Sequence, residues 1–574
     1  MVFKKQTLVG FIQDALREID AEQIFFSVEQ PQEVTHGDYA TNVALIASKK
    51  LSISPKEVAE KIKSVMGGKY KEIAHIEIAG PGFINFFLVD ENIRESNKQE
   101  IGKFETKFTG KKVLVEHSSP NLFKPFHIGH LMNNIVGMFV ARAVEAGGGH
   151  VTEMSFPSDV SIGIAKAMFI LLEDKKNGVN FETRNIDEQI VYFGEAYIRG
   201  LAYFDEHKDE LPKAQAIAHI IFDDTSISEE YTMYSFVKKK NIDYFISILQ
   251  GLGSKIDSQT GIIFESISGR RGRTIVEENT GEGKVFTKSE GAIVYIPDEA
   301  RKDLHTAVFI NSEGYPTYEA KDLGLIDKKF EIYNPDTSFF ITDAEQVSHF
   351  KIVLDAASKL GEVWKERVEK SKHIPHGRML FKGQKMSSRL GGVPLALDVI
   401  SVVEDEVKER AGEKIAHLGK EEKKKLEREI ALSALRIAVL RSKPGININF
   451  DPESSLSFEG DSGPYLLYTH ARCASLLDKG NITPKFGIYT VSELERNLIH
   501  AEEVFVNSIE DLSPQILVGY LFSIAQLFNT WYAQEQILSD DKEKTAHKLA
   551  VVLRVKTVLY RGLYMVGIEA PPRL

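Results

Sequence analysis

Two histidines, His127 and His130, stand three residues apart in the stretch His127-Ile128-Gly129-His130. Side chains at this spacing share one face of a helix, so both imidazoles could donate to the oxygens of one phosphate group as charge develops there. Gly129 would let a nucleotide approach the main chain closely. The four residues alone carry little weight, because a pair of capping or surface histidines has the same spacing.

A second candidate segment is basic and flanked by glycines; it runs from Gly383 to Gly392 and reads GQKMSSRLGG. Lys385 could neutralise a pyrophosphate leaving group, and Ser387 and Ser388 could donate hydrogen bonds to it. The glycines permit movement when a substrate binds. A solvated basic turn has the same composition, but both motifs in this order are far less expected by chance than either one.

The elements that must position the histidines are a strand and a helix. Residues 113–115, Val-Leu-Val, predict a buried parallel strand. A polar turn with Ser118, Ser119 and Asn121 follows, and apolar residues then recur at helical spacing from 128 to 138. The histidines therefore lie where a strand leads into a helix N-terminus, which favours the binding of an anion.

The chain has 574 residues, too many for one hydrophobic core, so we expect about three domains. Its net charge of −11 gives nucleic-acid binding no support, and such a surface would have to be a local basic stripe. Cys473 is the only cysteine, which excludes an internal disulfide and a cysteine-based zinc site. No apolar run reaches membrane-spanning length and no secretory cleavage site follows the N-terminus, so we expect a cytoplasmic protein.

Sequence patterning divides the chain into three predicted domains of an α/β multidomain protein. Residues 1–105 are typical of a small α+β module. Residues 106–400 alternate strand and helix patterns, which predicts a Rossmann-like doubly wound parallel sheet with an insertion at about 155–290. The second half of that sheet is expected to resume at GAIVYI and TAVFI. Residues 401–574 lose the strand signal and predict an α-helical bundle.

The two motifs, HIGH and KMSS, resemble the double signature of class I aminoacyl-tRNA synthetases, and their surroundings resemble the arginyl-tRNA synthetases. The matching stretches are VEHSSPNLFKPFHIGHL, GEAYIRG, GYPTYEAKDLGL, TDAEQVSHF, KMSSRLGG, SALR, GPYLLYTHAR and FNTWYAQEQIL with the ending GIEAPP. These stretches run from residue 115 to residue 572 in the family's order, and the likeness itself begins at residue 36, so it covers nearly the whole chain.

The resemblance implies an ATP site and an arginine pocket. The residues that it assigns to ATP are His127, Gly129, His130, Lys385, Met386, Ser387 and Ser388. Lys124 would assist catalysis, because it could replace part of the ammonium group that other class I enzymes carry at the position of Arg389. The residues that it assigns to arginine are Glu116, Ser118, Asn121, Tyr318, Asp322 and Gln346.

The chemistry of the substrate agrees with this assignment, because a guanidinium binds best to a carboxylate of matching fork geometry. Each residue also has a structural alternative. Glu116 could be a helix cap or a salt bridge, Tyr318 the edge of a core, and Gln346 an ordinary surface residue. The functional interpretation is favoured because the residues occur together in the family's order.

The helical domain carries candidate tRNA contacts. Tyr465, Tyr468 and Arg472 follow a three-four spacing on one helix face, and stacking rings beside a guanidinium suit unpaired bases. By resemblance, Tyr532 matches the family's anticodon-binding position better than Trp531 does. Ordinary packing is the alternative, and it is the better interpretation for one of the two tyrosines, Tyr465 or Tyr468.

The first module carries two more candidates. By resemblance, Phe83 and Asn85 occupy the positions where the family uses an aromatic ring and an amide to read a nucleotide of the tRNA elbow. Packing of Phe83 within the module is an equally good alternative. One departure concerns a Gly-Asp-Trp-Gly run that many family members carry after the first half of the sheet. The corresponding stretch here, SFPSDVSIGIAKA, keeps only Asp159.

The implied reaction is the attachment of L-arginine to tRNA(Arg) through arginyl-adenylate, with ATP and Mg²⁺, no zinc or other protein-bound metal, and a monomeric protein. Three alternatives stay open: another class I synthetase, a nucleotidyltransferase that does not act on tRNA, and a synthetase-like regulator without activity. The single cysteine argues against the cysteine enzyme's zinc set. The intact motifs argue against an inactive regulator.

Overall fold

The computed structural model describes residues 3–31, 34–102, 104–223, 227–381, 395–411, 418–457 and 459–571. Helices pack against a small antiparallel sheet in its first unit. The elements are α1 (Lys5–Glu18), β1 (Val28–Glu29), a 3₁₀ turn (Val34–His36), β2 (Tyr39–Thr41), α2 (Val43–Leu51), α3 (Pro55–Met66), β3 (Ile73–Ala79), β4 (Phe83–Leu88) and α4 (Asp90–Asn97). The sheet order is β1-β2-β4-β3. Ser54 and Glu57 form a reciprocal capping box at the start of α3, where Pro55 loses no hydrogen bond.

The middle of the chain contains most of the strands. It begins with β5 (Lys112–Glu116), α5 (Ile128–Ala146) and β6 (His150–Met154). A run of helices follows: α6 (Ile162–Lys176), α7 (Ile186–Glu206), a 3₁₀ turn (Lys208–Glu210), α8 (Leu211–Asp223), α9 (Glu229–Gly251) and α10 (Glu265–Glu278). The remaining elements are β7 (Phe286–Ser289), β8 (Ala292–Tyr295), β9 (Ala307–Ile310), α11 (Tyr318–Tyr333), β10 (Thr337–Asp343), a 3₁₀ turn (Ala344–Gln346), α12 (Val347–Ser358), α13 (Glu362–Lys370), β11 (Ser371–His376) and β12 (Met379–Phe381).

The last part of the chain is mainly helical. Its elements are α14 (Ala396–Ala411), α15 (Lys420–Leu440), β13 (Ile448–Phe450), α16 (Pro452–Ser455), α17 (Gly463–Gly480), α18 (Glu493–Leu498), α19 (Ala501–Glu510), α20 (Pro514–Gln534) and α21 (Lys542–Met565). The short strand β13 pairs in parallel with β12. The predicted boundaries at residues 105 and 400, and the limits of the insertion, stay predictions. Across the described part of the chain, no helix is both long and apolar enough to cross a bilayer.

The central sheet is parallel, with the strand order β11-β10-β5-β6. Val113 and Val115 of β5 belong to the large core that α5 shares, whereas Leu114 packs with Leu325 of α11. Alternate residues of one strand therefore face helices on opposite sides of the sheet. This arrangement confirms the predicted doubly wound, Rossmann-like architecture.

One expectation about this sheet is wrong. The stretches GAIVYI and TAVFI form β8 and β9, which pair antiparallel with each other and with β7 in a separate small sheet. The turn between β7 and β8 explains the pairing, because Glu290 and Gly291 both have positive φ, as a tight two-residue hairpin turn requires. The parallel sheet resumes only at β10.

A glycine contact brings α10 close to α11. A Cβ atom added at Gly272 would lie 1.8 Å from the carbonyl oxygen of Ala320, and one at Gly324 would lie 1.9 Å from that of Ser268. The main chains therefore touch where no side chain intervenes. The Gly/Arg-rich stretch SGRRGRT thus forms part of a helix that supports α11, the helix that carries two of the predicted arginine ligands, Tyr318 and Asp322.

Candidate active site

The candidate site lies at the carboxyl ends of β5 and β10. The chain leaves β5 through α5 to reach β6 on one side, while β10 pairs with β5 on the other side. Neighbouring connections thus diverge between these two strands, and open α/β sheets bind ligands in the crevice at such a point. Glu116 ends β5 and Asp343 ends β10.

The two histidines cap the start of α5. The Nδ1 atom of His127 accepts a hydrogen bond from the Gly129 N–H at 3.1 Å, and that of His130 accepts one from the His127 N–H at 3.2 Å. Their rings stack with centroids 3.7 Å apart. Because each Nδ1 accepts a main-chain hydrogen bond, each neutral ring carries its proton on Nε2.

Electrostatics keep both rings uncharged at neutral pH. Burial, together with the Lys124 cation, lowers the pKa of His127 below 6.5. Burial, followed by the influence of His127 and Lys124, holds the pKa of His130 well below that value. Lys124 itself is exposed and lies 5.3 Å from the ring centre of Tyr197. Each histidine can therefore donate one hydrogen bond from Nε2 to a phosphate oxygen, without carrying a positive charge.

The space beside Gly129 is filled by His127. A Cβ atom added at Gly129 would lie 3.0 Å from the Cε1 atom of the His127 ring. A side chain here would push the ring out of its cap, so the capping arrangement accounts for the glycine. The predicted approach of a nucleotide to this main chain stays a prediction.

The polar turn after β5 is held from three sides. Ser118 is fully buried and has a positive φ of 56°. Its N–H donates to the Asn133 side chain at 2.6 Å, and Asn133 in turn donates to the Ile341 carbonyl of β10 at 2.5 Å. The Ser118 hydroxyl contacts His117 at 2.8 Å and accepts from Asn134 at 3.1 Å. These contacts support a positioning role for Ser118, and its predicted contact with arginine stays untested.

Two residues that the motif comparison did not single out support this turn. The fully buried His117 reaches Glu153 of β6 through Nε2 at 3.1 Å. Burial alone would raise the pKa of Glu153, but the hydrogen bonds from His117 and the Lys255 N–H lower it. The His117 side chain also requires Gly137, where an added Cβ atom would lie 2.3 Å from the Cβ atom of His117 and 2.4 Å from its ring. The sequence does not reveal the pairing of His117 with Glu153, because the two residues are 36 positions apart in the chain.

Glu116 is not an empty carboxylate. It is 5% exposed and contacts Lys329 of α11, which is 4% exposed. The side chain points to the α11 side of the sheet, opposite to Val115. The salt-bridge alternative for Glu116 is therefore correct. A carboxylate has two oxygen atoms, so the contact with Lys329 does not exclude a second partner. Asn121 lies in the same turn, where its main chain forms an isolated β-bridge with Ser158.

The other three predicted arginine ligands lie at the starts of α11 and α12. Asp322 accepts a hydrogen bond from His349 at 2.6 Å. Burial lowers the pKa of His349, but the contacts with Asp322 and Glu319 outweigh it and raise the value to about 9. Tyr318 is 67% exposed and Gln346 is also exposed. His349 was quoted within TDAEQVSHF, but its spacing alone gave it no role.

The stretch that pairs with the turn after β5 through Ser158 is anchored by Asp159, which the resemblance matches to the aspartate of the family's Gly-Asp-Trp-Gly run. It is fully buried and accepts hydrogen bonds from Lys238 at 2.6 Å, Tyr234 at 3.0 Å and both the N–H and hydroxyl of Ser266 at 2.8 Å. Nearby, a cleft of about 340 Å³ is lined by Ser161, Tyr315 and Lys321 among others. Asp159 thus anchors this stretch through its hydrogen bonds, although the stretch lacks the tryptophan of the family's run.

The second motif cannot be placed. Lys385, Met386, Ser387 and Ser388 lie outside the described residues. The first described residues after them do lie at the site: Leu395 bridges to His127, and the Ala396 N–H donates to the Phe126 carbonyl at 2.9 Å. The chain therefore returns from this segment directly to the start of α5.

Four of the predicted tRNA contacts come together in the helical domain. The Arg472 guanidinium lies 4.7 Å from the ring centre of Tyr468 and 4.8 Å from that of Tyr532. Asn529, which the sequence did not single out, accepts from Arg472 and donates to the Tyr465 hydroxyl at 3.0 Å. Tyr532 is 39% exposed. The arrangement offers a ring and a guanidinium at a partly open surface of α17 and α20.

The two predicted residues of the first module differ in exposure. Phe83 begins β4 and is 40% exposed, whereas Asn85 is 4% exposed and lies between Ala40 and Glu77 in the sheet. Alternation along β4 places both on the face opposite to the core residues Ile84 and Phe86. Only Phe83 presents a large accessible surface.

Among the described residues, no group of three or more histidine, cysteine or carboxylate side chains could hold a metal ion. The carboxylates named above are instead paired with protein cations, Lys329, His349 and Lys238.

Three family models match the chain. The model described as "tRNA synthetases class I (R), catalytic domain" matches residues 94–451, the "Arginyl tRNA synthetase N terminal domain" matches 6–88, and the "DALR anticodon binding domain" matches 466–574. The first of these covers more than half of the chain.

Whole-chain similarities agree with the family models. The arginine–tRNA ligase of Exiguobacterium sibiricum is 28% identical and that of Alteromonas mediterranea 29% identical, with 99% and 98% of both chains covered respectively. The solved arginyl-tRNA synthetase of Thermus thermophilus superposes with a TM-score of 0.81 at 22% identity, and that of Plasmodium falciparum with 0.79 at 18% identity, over the full length of both chains. At these identities the solved structures show the fold. The chain belongs to the class I arginyl-tRNA synthetases.

Proposed function

We propose that the crevice between β5 and β10 is where this chain carries out its family's reaction, the ATP-dependent attachment of L-arginine to tRNA. The carboxylate of arginine attacks the α-phosphate of ATP, which enters as its Mg²⁺ complex, and forms arginyl-adenylate and pyrophosphate. The 2′-hydroxyl of the terminal adenosine of tRNA(Arg) then takes the arginyl group and releases AMP.

The observation that carries this proposal is the tautomer of the capping histidines. His127 and His130 use Nδ1 to cap α5, so their Nε2–H groups and the helix N-terminus can meet the charge that develops on the α-phosphate. Donors fixed in this way need no reorganisation when the transition state forms. Lys124 adds positive charge on the same side, and Lys385 takes the role of neutralising the departing pyrophosphate. No residue needs to act as a general base, because positioning and electrostatics suffice.

The arginine side chain is assigned to the strand side of the same turn. Glu116 ends β5 and Asp322 lies in α11, and a carboxylate pairs with a guanidinium through two parallel hydrogen bonds. Asn121, Tyr318 and Gln346 complete the pocket in this proposal. Ser118 acts through the main chain that it holds, because its hydroxyl is already engaged.

The tRNA is assigned to two surfaces. Tyr468, Arg472 and Tyr532 stack with unpaired anticodon bases, as rings and a guanidinium do in other single-stranded RNA sites. Phe83 contacts the elbow, with Asn85 behind it. Since the product serves translation, we place the chain in the cytoplasm, and family likeness favours a monomer.

The test is amino-acid-dependent exchange of pyrophosphate into ATP, measured with each of the standard amino acids, with and without tRNA(Arg). We expect exchange with arginine when tRNA is present. A lack of exchange without tRNA does not contradict the proposal. Exchange with lysine would refute the arginine assignment. So would a lack of exchange with every amino acid when tRNA is present. Exchange with arginine that is never followed by transfer to tRNA would favour the nucleotidyltransferase alternative.

A further inference from the structure

Two internal cations lie against the carboxylates of the proposed arginine pocket. Lys329 of α11 contacts Glu116. His349 of α12 contacts Asp322 at 2.6 Å and Glu319 at 3.6 Å. Each carboxylate that is assigned to the guanidinium therefore already has a protein cation as its partner.

These contacts form one continuous cluster. Lys329 and Asp322 are seven residues apart and so lie on one stripe of α11. The Lys329 ammonium lies 5.2 Å from the ring centre of Phe340, that ring lies 4.6 Å from Phe350, and Phe350 lies 5.0 Å from His349. Two aromatic rings thus lie between the two ion pairs.

The charges in this cluster do not cancel. Glu116, Glu319 and Asp322 contribute three negative charges, whereas Lys329 and His349 contribute two positive charges. One negative charge remains, and a single guanidinium neutralises it. A pocket without the two cations would hold three carboxylates whose negative charges repel one another.

The surrounding groups do not change this count. His373 of β11 faces the same rings, and burial first, then His376 and His349, lower its pKa to about 4, so it is neutral. Arg378 pairs with Asp343 and Glu345 at an exposed edge.

We propose that Lys329 and His349 are positioning residues of the arginine pocket: they hold Glu116 and Asp322 in place before the substrate arrives, and they leave one negative charge for the guanidinium. The inference rests on the proposed arginine pocket. It explains why the ligand-free pocket is already paired, and it assigns specificity to cations as well as to carboxylates. A neutral side chain of arginine's shape would leave the remaining charge buried and unpaired.

The test is steady-state arginylation by the full-length chain with tRNA(Arg). Lys329→Met should raise the arginine KM at pH 7 by about tenfold or more while the ATP KM stays within about twofold, because only the guanidinium partner is disturbed. Lys329→Arg should restore most of the affinity because it keeps the charge.

The matched control is Lys328→Met, on the neighbouring residue of the same helix. Lys328 pairs with Glu331 at 2.7 Å, outside the cluster, so both KM values should be unchanged. His349→Gln keeps a hydrogen-bond donor for Asp322 but removes the charge, and it should raise the arginine KM by about threefold. The His349 side chain is 20% exposed, so this variant tests the inference even if Lys329→Met does not fold.

An unchanged arginine KM in both variants would overturn the inference. So would equal increases in the arginine and ATP KM values together with weaker tRNA binding, because a purely structural defect has that signature. Failure of the wild-type chain to use arginine would instead refute the proposed function, which keeps the two failures distinct.

Discussion

His127 and His130 use one ring nitrogen for the fold, and in the proposed reaction the other nitrogen binds the substrate. Nδ1 caps the helix, and Nε2 is left as a donor. An N-cap is worth about 0.5–2 kcal/mol, so the same contacts that fix the tautomer also stabilise the start of α5. The low pKa values of both rings follow from burial, and they keep the pair neutral where the enzyme works.

His349 makes the stability of the chain depend on pH. Its pKa is about 9 in the folded chain and 6.5 when exposed, so the folded state holds the proton more tightly. The added stability is complete below pH 6.5 and is lost as the pH rises through about 9, with a size of roughly 3 kcal/mol at 1.36 kcal/mol per pH unit. Chemical unfolding at pH 6 and pH 10 should show wild type losing this advantage over His349→Gln. An equal pH dependence in both proteins would contradict the assigned ion pair.

Residue types could be predicted from the sequence, but their partners could not. Glu116, Asp322 and the two histidines stand in motifs, and the structure places them around one edge of the sheet. Lys329 and His349 neutralise two of them from helices far along the chain, and no local spacing signals such a contact. The same reason hid Asn133, which joins the turn to β10 from the second turn of α5.

The strand, turn and helix around the histidines were predictable because each has a strong local signal. The apolar run of β5 lies in the parallel sheet, and α5 begins one residue after His127. The small sheet of β7, β8 and β9 was mispredicted because alternating patterns do not distinguish parallel from antiparallel pairing. Only the turn at Glu290 and Gly291 carried that information.

The α5 helix and the turn before it are fitted to each other at Gly137. A Cβ atom added there would lie 2.3 Å from the Cβ atom of His117 and 2.4 Å from its ring, so Gly137→Ala should destabilise the chain by about 1–3 kcal/mol despite alanine's better helix propensity. In α1, Gly10 has no atom within 4 Å of the added position, so Gly10→Ala should stabilise by about 0.5–1 kcal/mol. Thermal unfolding measures both changes. A neutral or stabilising Gly137→Ala would show that the ring does not lie there.

At the scale of the whole molecule, the first module is attached to the helical domain. Arg496 of α18 contacts Asp38 at 2.9 Å and Asp90 at 2.6 Å, and Asp38 is 2% exposed. Tyr39 meets His500 edge to face at 4.9 Å. Contacts between residues more than 400 positions apart leave no pattern in the sequence, so the domains were predictable and their joint was not.

Removing the arginine of this joint should loosen the first module. Arg496→Ala leaves Asp38 buried without its partner, and the loss of one member of a buried ion pair costs about 3–5 kcal/mol. Amide hydrogen exchange should therefore accelerate in β2 and β4, while the exchange of β5 and β10 stays unchanged. The exposed pair of Arg17 and Asp14 is the control, where Arg17→Ala should cost less than about 1 kcal/mol. Unaltered exchange in Arg496→Ala would refute this role.

In the proposed reaction, arginine binds on the β5 side of the turn after β5, and the nucleotide binds on the α5 side. The most direct test is to measure arginylation kinetics of Glu116→Ala and His127→Ala side by side. Glu116→Ala should raise the arginine KM far more than the ATP KM, whereas His127→Ala should lower kcat by about a hundredfold and change the arginine KM little. Equal increases of both KM values in Glu116→Ala would contradict the account.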